Sequence, residues 1–429
     1  MIRCIVAIAF IYACASVAWL VLGATIFART NQSDAKLRGR VASTWGTAQE
    51  QVAPSAVVER TTARQVEADE NGKRVVRTVE DRETIHLPLE RTRARAKIAL
   101  EHRRKGLLWY STYGVDFAGT YAFRNTTNSD VVLFTLKLPT AQAIYDNLTF
   151  TIDGVPVTTS DEGGAITGVA HIAPGGSATL DVGYRSQGLG EWRYNFGGAG
   201  ESGAVSRVRD FELTLSTNFR GVDFADNSLS PSSKRETRDG WDLTWRFANL
   251  VSGYQIALVM PEKLQPGPLA AQISLFAPVS LFFFFFLMFI ITTVRGIELH
   301  PMNYFFIAAA FFSFHLLLAY LADHVSIHAA FVAASAISIF LVVTYLRLAI
   351  GITFAFREAA LAQMLFLVLF SYAFFFEGFT GLAITIGSIV TLFVTMQMTG
   401  RIRWSEAFAA NALPRRSSDP GRSSVALPA

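Results

Sequence analysis

Apolar positions follow two different patterns along this chain. From Ile5 to Phe27 they form one stretch without a charge. After Pro268 five more such stretches follow, at about 270–294, 302–322, 328–346, 358–377 and 380–399. A bilayer core of about 30 Å takes roughly 20 apolar residues per helix, so each stretch predicts a membrane span. The run Phe282 through Phe286 has no place on a soluble surface, and short loops between the last five stretches leave no polar face. The first stretch has a rival reading as a cleaved signal, whose apolar core would be about 7–15 residues with a small-x-small cleavage site. It is longer than that, and Ile26-Phe27-Ala28 makes a poor site, so an uncleaved anchor is the expectation.

Between the two apolar regions the period changes to two. Residues 33–51 read as a short helix leaving the membrane. Beyond them Arg74–Glu80, Gly114–Asn125, Val131–Leu138, Leu148–Ile152, Ala178–Tyr184 and Val208–Ser216 are runs of β-branched and aromatic residues. Turn chemistry separates them, in Asn125-Thr126-Thr127-Asn128, Asp153-Gly154, Gly163-Gly164 and Pro174-Gly175-Gly176. Short strands at this spacing suggest an antiparallel β-sandwich, closed by Gly253–Met260 and joined to the next span by a stiff Pro261–Pro268 link. The expected fold is therefore an α+β membrane protein. Residues 1–28 are a transmembrane anchor, 29–268 a β-rich sandwich-like domain, 269–400 a five-helix transmembrane bundle, and 401–429 a disordered tail.

Composition sharpens this picture. Of 429 residues, 51% are hydrophobic and only 17% charged, against about 25% in ordinary soluble domains. Residues 29–268 carry 29 Lys/Arg against 28 Asp/Glu, so the net charge of +4 is no basic patch and nucleic acid is not an expected partner. Cys4 and Cys14 both lie in the first apolar stretch, which leaves the β domain without a disulfide framework or thiolate metal site. Among the short loops, Arg295, Arg347, Arg357 and the arginines after 400 fall on one side of the expected spans. Asp323, His324, His328 and Glu377 fall on the other. The basic side is read as cytoplasmic. Six spans then put both termini in the cytoplasm and 29–268 outside it.

Candidate chemistry is sparse. There is no Gly-x-Ser-x-Gly, no P-loop and no His-Glu-x-x-His. The glycine-rich segment 188–203 has β-type sequence on both sides, so it reads as a loop rather than a dinucleotide site. Within it Trp192, Tyr194 and Phe196 alternate, as a buried strand face does; stacking on a sugar or acyl chain is the alternative. The segment 91–105 holds seven basic residues and one acid. It reads as a solvated strand face with Arg93, Arg95 and Lys97 outward, and alternatively as a site for anionic headgroups. Inside the spans His315 reads as a neutral imidazole bonded to a Ser or Thr of a neighbouring helix. A proton relay would need a carboxylate at its depth, and none is apparent. Asp323, His324, His328 and Glu377 form an outer-end polar cluster, with the two histidines four apart on one helix face. They read as an interfacial cap, with a metal site as the lesser alternative.

Several of these segments resemble the CreD family of inner-membrane proteins. Leu299-His300-Pro301-Met302-Asn303-Tyr304 is similar to its His-Pro-x-Gln-Tyr entry, with Asn303 in place of Gln. Leu316-Leu317-Leu318 with Asp323-His324 is similar to its Leu-rich run ending in Glu-His. Phe376-Glu377-Gly378, Gly387-Ser388 and Thr399-Gly400-Arg401-Ile402-Arg403-Trp404 resemble its acidic turn, Gly-Ser pair and exit pattern. Trp45-Gly46, Gln49 and Pro54 resemble its N-terminal stretch. The likeness is specific over about 295–404 and faint over 56–260, as in a divergent member.

The resemblance implies a Gram-negative inner membrane, a periplasmic β-rich domain and a role in envelope integrity of the colicin-tolerance kind. It implies no reaction. The expected function is thus non-enzymatic and cofactor-free. The protein is held in the lipid bilayer, and its β domain binds an envelope component or periplasmic partner. A lipid or small-molecule transporter built on the bundle is the alternative. His300, Asn303, His315, Asp323, His324, His328 and Glu377 are the candidate functional residues.

Overall fold

A computed structural model describes residues 2–70, 73–105, 108–197, 206–376 and 378–400. Glu377, the C-terminal segment 401–429 and part of the glycine-rich segment, 198–205, lie outside the described residues. The chain divides into a helical unit, Met1–Ser33 with Gln265–Ala429, and a β unit, Asp34–Leu264.

Helix α1 (Ile2–Trp45) runs through from the first unit into the second. The helix expected at 33–51 forms as far as Trp45, as a continuation of the first apolar stretch, and 49–52 is strand. The polar part continues for two local reasons. Asp34 and Arg38 pair one turn apart (3.5 Å). Leu37, Val41 and Trp45, spaced by four, bury one stripe against Leu108 and Tyr110. Gly46, at φ 92°, then turns the chain; a Cβ there would meet the Gln187 carbonyl at 2.4 Å.

The strands of the β unit are β1 (Gln49–Val52), β2 (Ser55–Glu70), β3 (Lys73–His86), β4 (Leu89–Lys105), β5 (Leu108–Arg124), β6 (Val131–Lys137), β7 (Asp146–Ile152), β8 (Val155–Pro156), β9 (Thr159–Glu162), β10 (Ala165–His171), β11 (Ser177–Leu189), β12 (Glu191–Asn195), β13 (Ser206–Thr217), β14 (Asp223–Phe224), β15 (Ser233–Glu236), β16 (Trp241–Ser252) and β17 (Ile256–Val259). They form three sheets, ordered β15-β16-β13-β4-β5-β11-β7-β8, β3-β2-β6-β10-β9 and β1-β12-β17-β14. Most pairs are antiparallel, as expected. Two are not: β4 runs parallel to β13 from Thr92↔Phe211 to Ile98↔Thr217, and β1 runs parallel to β12. Period-two patterning fixes which face of a strand is buried but not the direction of its neighbour, so these pairings had no local signal.

The turn chemistry does its expected work. Asp153 and Gly154 both take positive φ (49° and 76°) and reverse the chain between β7 and β8. Asn125 accepts from the Thr127 backbone N–H at 3.0 Å. One continuous core joins the sheets, with Phe117, Tyr121, Phe134, Trp192, Phe211 and Trp245 buried in it. Trp192, Tyr194 and Phe196 are core residues, the buried strand face expected, and Tyr194 and Phe196 also border a cleft described below. Arg95 and Lys97 of β4 alternate with buried Ala94, Ala96 and Ile98 and stand exposed.

In the helical unit α1 is joined by α2 (Pro266–Val294), α3 (Pro301–Leu321), α4 (Ile327–Ala349), α5 (Ile352–Phe375) and α6 (Thr380–Thr399). All six are long and apolar enough to cross a membrane. Gly23 allows α1 to approach α2, since a Cβ there would lie 2.7 Å from Leu275. Large apolar side chains such as Phe10, Phe282, Phe305, Phe340 and Phe393 point outward, the reverse of a water-soluble bundle. The fifth span starts at Ile352, earlier than the expected 358, so Arg357 lies within it rather than in a loop.

Helix α5 is wound irregularly. Two π-helical segments, Ala355–Ala359 and Met364–Leu369, flank a single α-turn at Ala360–Gln363. A π turn displaces carbonyls from the ordinary ladder. Within the second segment, Phe366 O accepts the Ser280 hydroxyl of α2.

Candidate functional site

The candidate residues of the helical unit serve mostly as ties between helices. His300 caps α3 ahead of Pro301, its Nδ1 accepting from the Met302 N–H at 3.2 Å. One turn in, Asn303 Oδ1 accepts from the Tyr345 hydroxyl at 2.6 Å and ties the start of α3 to the end of α4. Asp323, just beyond α3, pairs with Arg29 of α1 at 2.9 Å, and the same guanidinium lies over the Tyr320 ring.

The shared helix face expected for His324 and His328 is not formed. Helix α3 ends at Leu321 and α4 begins at Ile327, capped by Ser326, so His324 and His328 share no helix face. His324 is exposed in the connecting turn, and His328 sets its ring 5.1 Å from that of Phe375. Asp323 is already taken by Arg29. Among the described residues no group of three His, Cys, Asp or Glu is placed to hold a metal ion. Glu377 lies outside the described residues.

His315 is buried in α3. It is not bonded to a Ser or Thr of another helix. Its Nδ1 lies 3.0 Å from Phe311 O, one turn back, so Nδ1 carries the proton, and Nε2 is left as an acceptor with no partner among the described residues. The Trp19 ring of α1 packs edge-on at 5.5 Å, and its indole N–H is likewise unpartnered.

Two polar groups escaped sequence reasoning. Glu358, in the first turns of α5, is only 11% exposed and pairs with Arg295 at 2.7 Å. The pairing lets the acid sit inside a span. Gln363, between the π segments, is fully buried. Its Nε2 donates to Ser338 Oγ (2.9 Å), which donates to Ala310 O (2.7 Å), joining α5, α4 and α3. Gln363 Oε1 and Ser335 Oγ have no partner among the described residues. Gln363 is the one amide in α5, and that was a readable signal.

The β unit offers a different kind of site. A cleft of about 670 Å³ opens beside the start of β2, the His86–Leu89 turn, the end of β6, Tyr194–Gly197 and the start of β13. Leu87, Phe123, Tyr194, Phe196, Val208 and Phe211 back it with apolar surface. His86, Lys137, Arg207 and Arg209 stand exposed around it.

A family model described as "Inner membrane protein CreD" matches residues 1–405. The chain belongs to the CreD family of inner-membrane proteins. Among curated proteins none matches it. Of solved structures, an M1 zinc metallopeptidase from Deinococcus radiodurans aligns at 12% identity and TM-score 0.26, over 41% of this chain and 42% of that one. A mutant of the Deinococcus enzyme aligns at 12% and TM-score 0.24 over the same shares. The matched part is less than half of either peptidase, and likeness at this level carries no argument about fold or activity.

Proposed function

We propose that this CreD-family protein is a non-enzymatic component of the cell envelope, with the β unit as its binding part and the helical unit as its anchor. The observation that carries this reading is the contrast between the units. The β unit has a core of its own and a wide cleft of mixed character. In the helical unit His300, Asn303, Asp323, Glu358 and Gln363 are engaged in capping α3 or tying one helix to another. In this account the helices cross the inner membrane six times, both termini are cytoplasmic and 29–268 is periplasmic. Arg295 at the end of α2, Arg347 at the end of α4 and Arg357 early in α5 support that orientation.

The orientation has a direct test. With Cys4 and Cys14 replaced by serine, Asn128→Cys should react with a membrane-impermeant maleimide once the outer membrane is opened. Glu298→Cys, between α2 and α3, should react only after the inner membrane is breached. Labelling in the opposite order would refute the arrangement.

A second reading, transport of a lipid or small molecule by the helical unit, draws on Gln363 Oε1 and Ser335 Oγ, both buried with no partner among the described residues. It also draws on a mainly apolar cleft of about 270 Å³ between α2, α5 and α6, lined by Phe283, Phe366 and Thr391. Irregular winding at membrane depth is tolerated where it is buried or lines a cavity, so a transport path would account for the π segments as well.

A further inference from the structure

We propose that the cleft of the β unit binds an acyl-chain anion, a lipid whose headgroup carries a phosphate or carboxylate. The inference rests on the reading above, in which the β unit is the binding part, and names its ligand class and its site.

The geometry starts in β13. Regular alternation would put Val208 and Phe211 on opposite faces of the strand. Asp210 breaks it. Its φ is 38°, in the left-handed region, uncommon for non-glycine residues although aspartate enters it more readily than most. The ladder to β16 stays in register on both sides, Arg209↔Asn249 and Phe211↔Phe247. The strand therefore kinks without gaining a residue. Val208 and Phe211 both turn inward, while Arg207 and Arg209 stand exposed at the rim. Arg93 holds the kink, donating to Asp210 O at 2.6 Å and to its Oδ1 at 2.7 Å. A strained residue fixed by a dedicated partner beside a cleft is the kind of feature that accompanies binding sites.

Among the described residues, the charges lining the cleft are of one sign. Lys137, Arg207 and Arg209 line it with His86, and among the described residues no carboxylate is in the lining. Among the described residues none of these three cations has an ion-pair partner. Among the described residues near it, Asp210 pairs with Arg93 (2.7 Å), Glu90 with Arg124 (4.0 Å), and Glu50 accepts from Asn195 Nδ2 (2.7 Å). Unpaired cations over low-dielectric walls concentrate a positive potential, and arginine forks suit phosphate and carboxylate oxygens.

The floor decides what kind of anion fits. Leu87, Val208 and Phe196 offer apolar surface that a bare phosphate would leave unused. The volume falls within the roughly 300–1,000 Å³ typical of sites that enclose a small organic ligand. An apolar chain on the floor with an anionic group at the rim satisfies both halves of the site.

The test uses the full-length protein in an uncharged maltoside detergent. It is titrated with palmitoyl-lysophosphatidylglycerol, palmitoyl-lysophosphatidylcholine or glycerol 3-phosphate, and the bound species are counted by native mass spectrometry. The expected result is one equivalent of the anionic lysolipid. R207A/R209A and, separately, K137E should weaken it at least tenfold, and the zwitterionic lysolipid should bind at least tenfold more weakly. Glycerol 3-phosphate should not be retained. All three substituted residues are exposed, so an unchanged β-type circular dichroism spectrum establishes that the variants are folded.

Equal binding by wild type and both variants would overturn the inference, because the lipid would then be held elsewhere. So would equal affinity for the zwitterionic lipid, or tight binding of glycerol 3-phosphate alone. The two levels separate in one set of strains. If deletion of 56–260 abolishes the envelope phenotype but no arginine-dependent lipid binding is found, the ligand class fails and the domain reading stands. If the deletion leaves the phenotype intact, the domain reading fails.

Discussion

Replacing Phe211 with alanine should cost the β unit about 3–5 kcal/mol, the usual range for removing a buried phenyl ring. The residue is 1% exposed and sits at the junction of three rings. Phe196 is 4.9 Å away edge-on, Tyr194 5.5 Å and Phe247 6.2 Å. It also lies where β13 meets β4 in the unexpected parallel pairing, so a collapse there disturbs two strands at once. Native domains hold only about 5–15 kcal/mol in all, so this one change removes a large part of the total. For a unit of this size each kcal/mol is worth roughly 2–4 °C. Thermal melting of the β signal in the full-length protein should fall by on the order of 10 °C. A fall below about 3 °C would show that the aromatic cluster is not packed as described.

The second large effect is alkaline. Tyr113, Tyr121, Tyr184 and Tyr194 are all buried in the β unit, and burial holds each phenol pKa well above its ordinary value near 10. Their hydroxyls are committed: Tyr113 donates to Glu191 O (2.6 Å), Tyr184 to Gln51 Oε1 (2.6 Å) and Tyr194 to the Tyr121 hydroxyl (3.3 Å). The folded-state pKa values are raised, so the protonated form is favoured in the fold. The stability tied to this is fully present below pH 10 and is lost as pH rises from there toward the folded values. In that window the unfolded chain binds fewer protons than the folded one. Each tyrosine then contributes a loss of about 1.4 kcal/mol per pH unit. Four together give on the order of 5 kcal/mol per unit.

The β unit should thus be nearly insensitive to pH between 8 and 9.5 and unfold cooperatively above about pH 10.5. Phenolate absorbance from the buried set should appear only with unfolding. Tyr110 adds to the trend more weakly. Partial burial and the Asp34 carboxylate beside it push its pKa up to about 12. Smooth ionisation of all the tyrosines near pH 10 with the fold intact would contradict this core.

How much of this was legible depended on the range of the interaction concerned. Local periodicity carried the six apolar helices and the faces of the strands. Trp192, Tyr194 and Phe196 read as one buried face, and they are one. The continuity of α1 was hidden because Asp34, Lys36, Arg38 and Arg40 look like a polar break, while the stripe Leu37, Val41 and Trp45 that sustains the helix finds its partners on β5. The Arg29–Asp323 pair joins residues 294 apart, and no pattern within either segment announces it. Asp323 therefore looked available to His324 and His328.

Glu358 was overlooked for a related reason. An acid at the head of an apolar stretch reads as a boundary until its partner Arg295 is known. The kink at Asp210 could not be read at all, since its strain is sustained by Arg93, 117 residues away.

The most direct measurement is complementation of the envelope phenotype by a chain lacking residues 56–260, with membrane insertion of the remaining helices checked in the same cells. The account predicts an inserted protein and a complete loss of function, because the anchor remains and the binding part is gone. An inserted truncation that restores the phenotype in full would contradict it and place the activity in the helical unit, at Gln363 and the π-wound fifth helix.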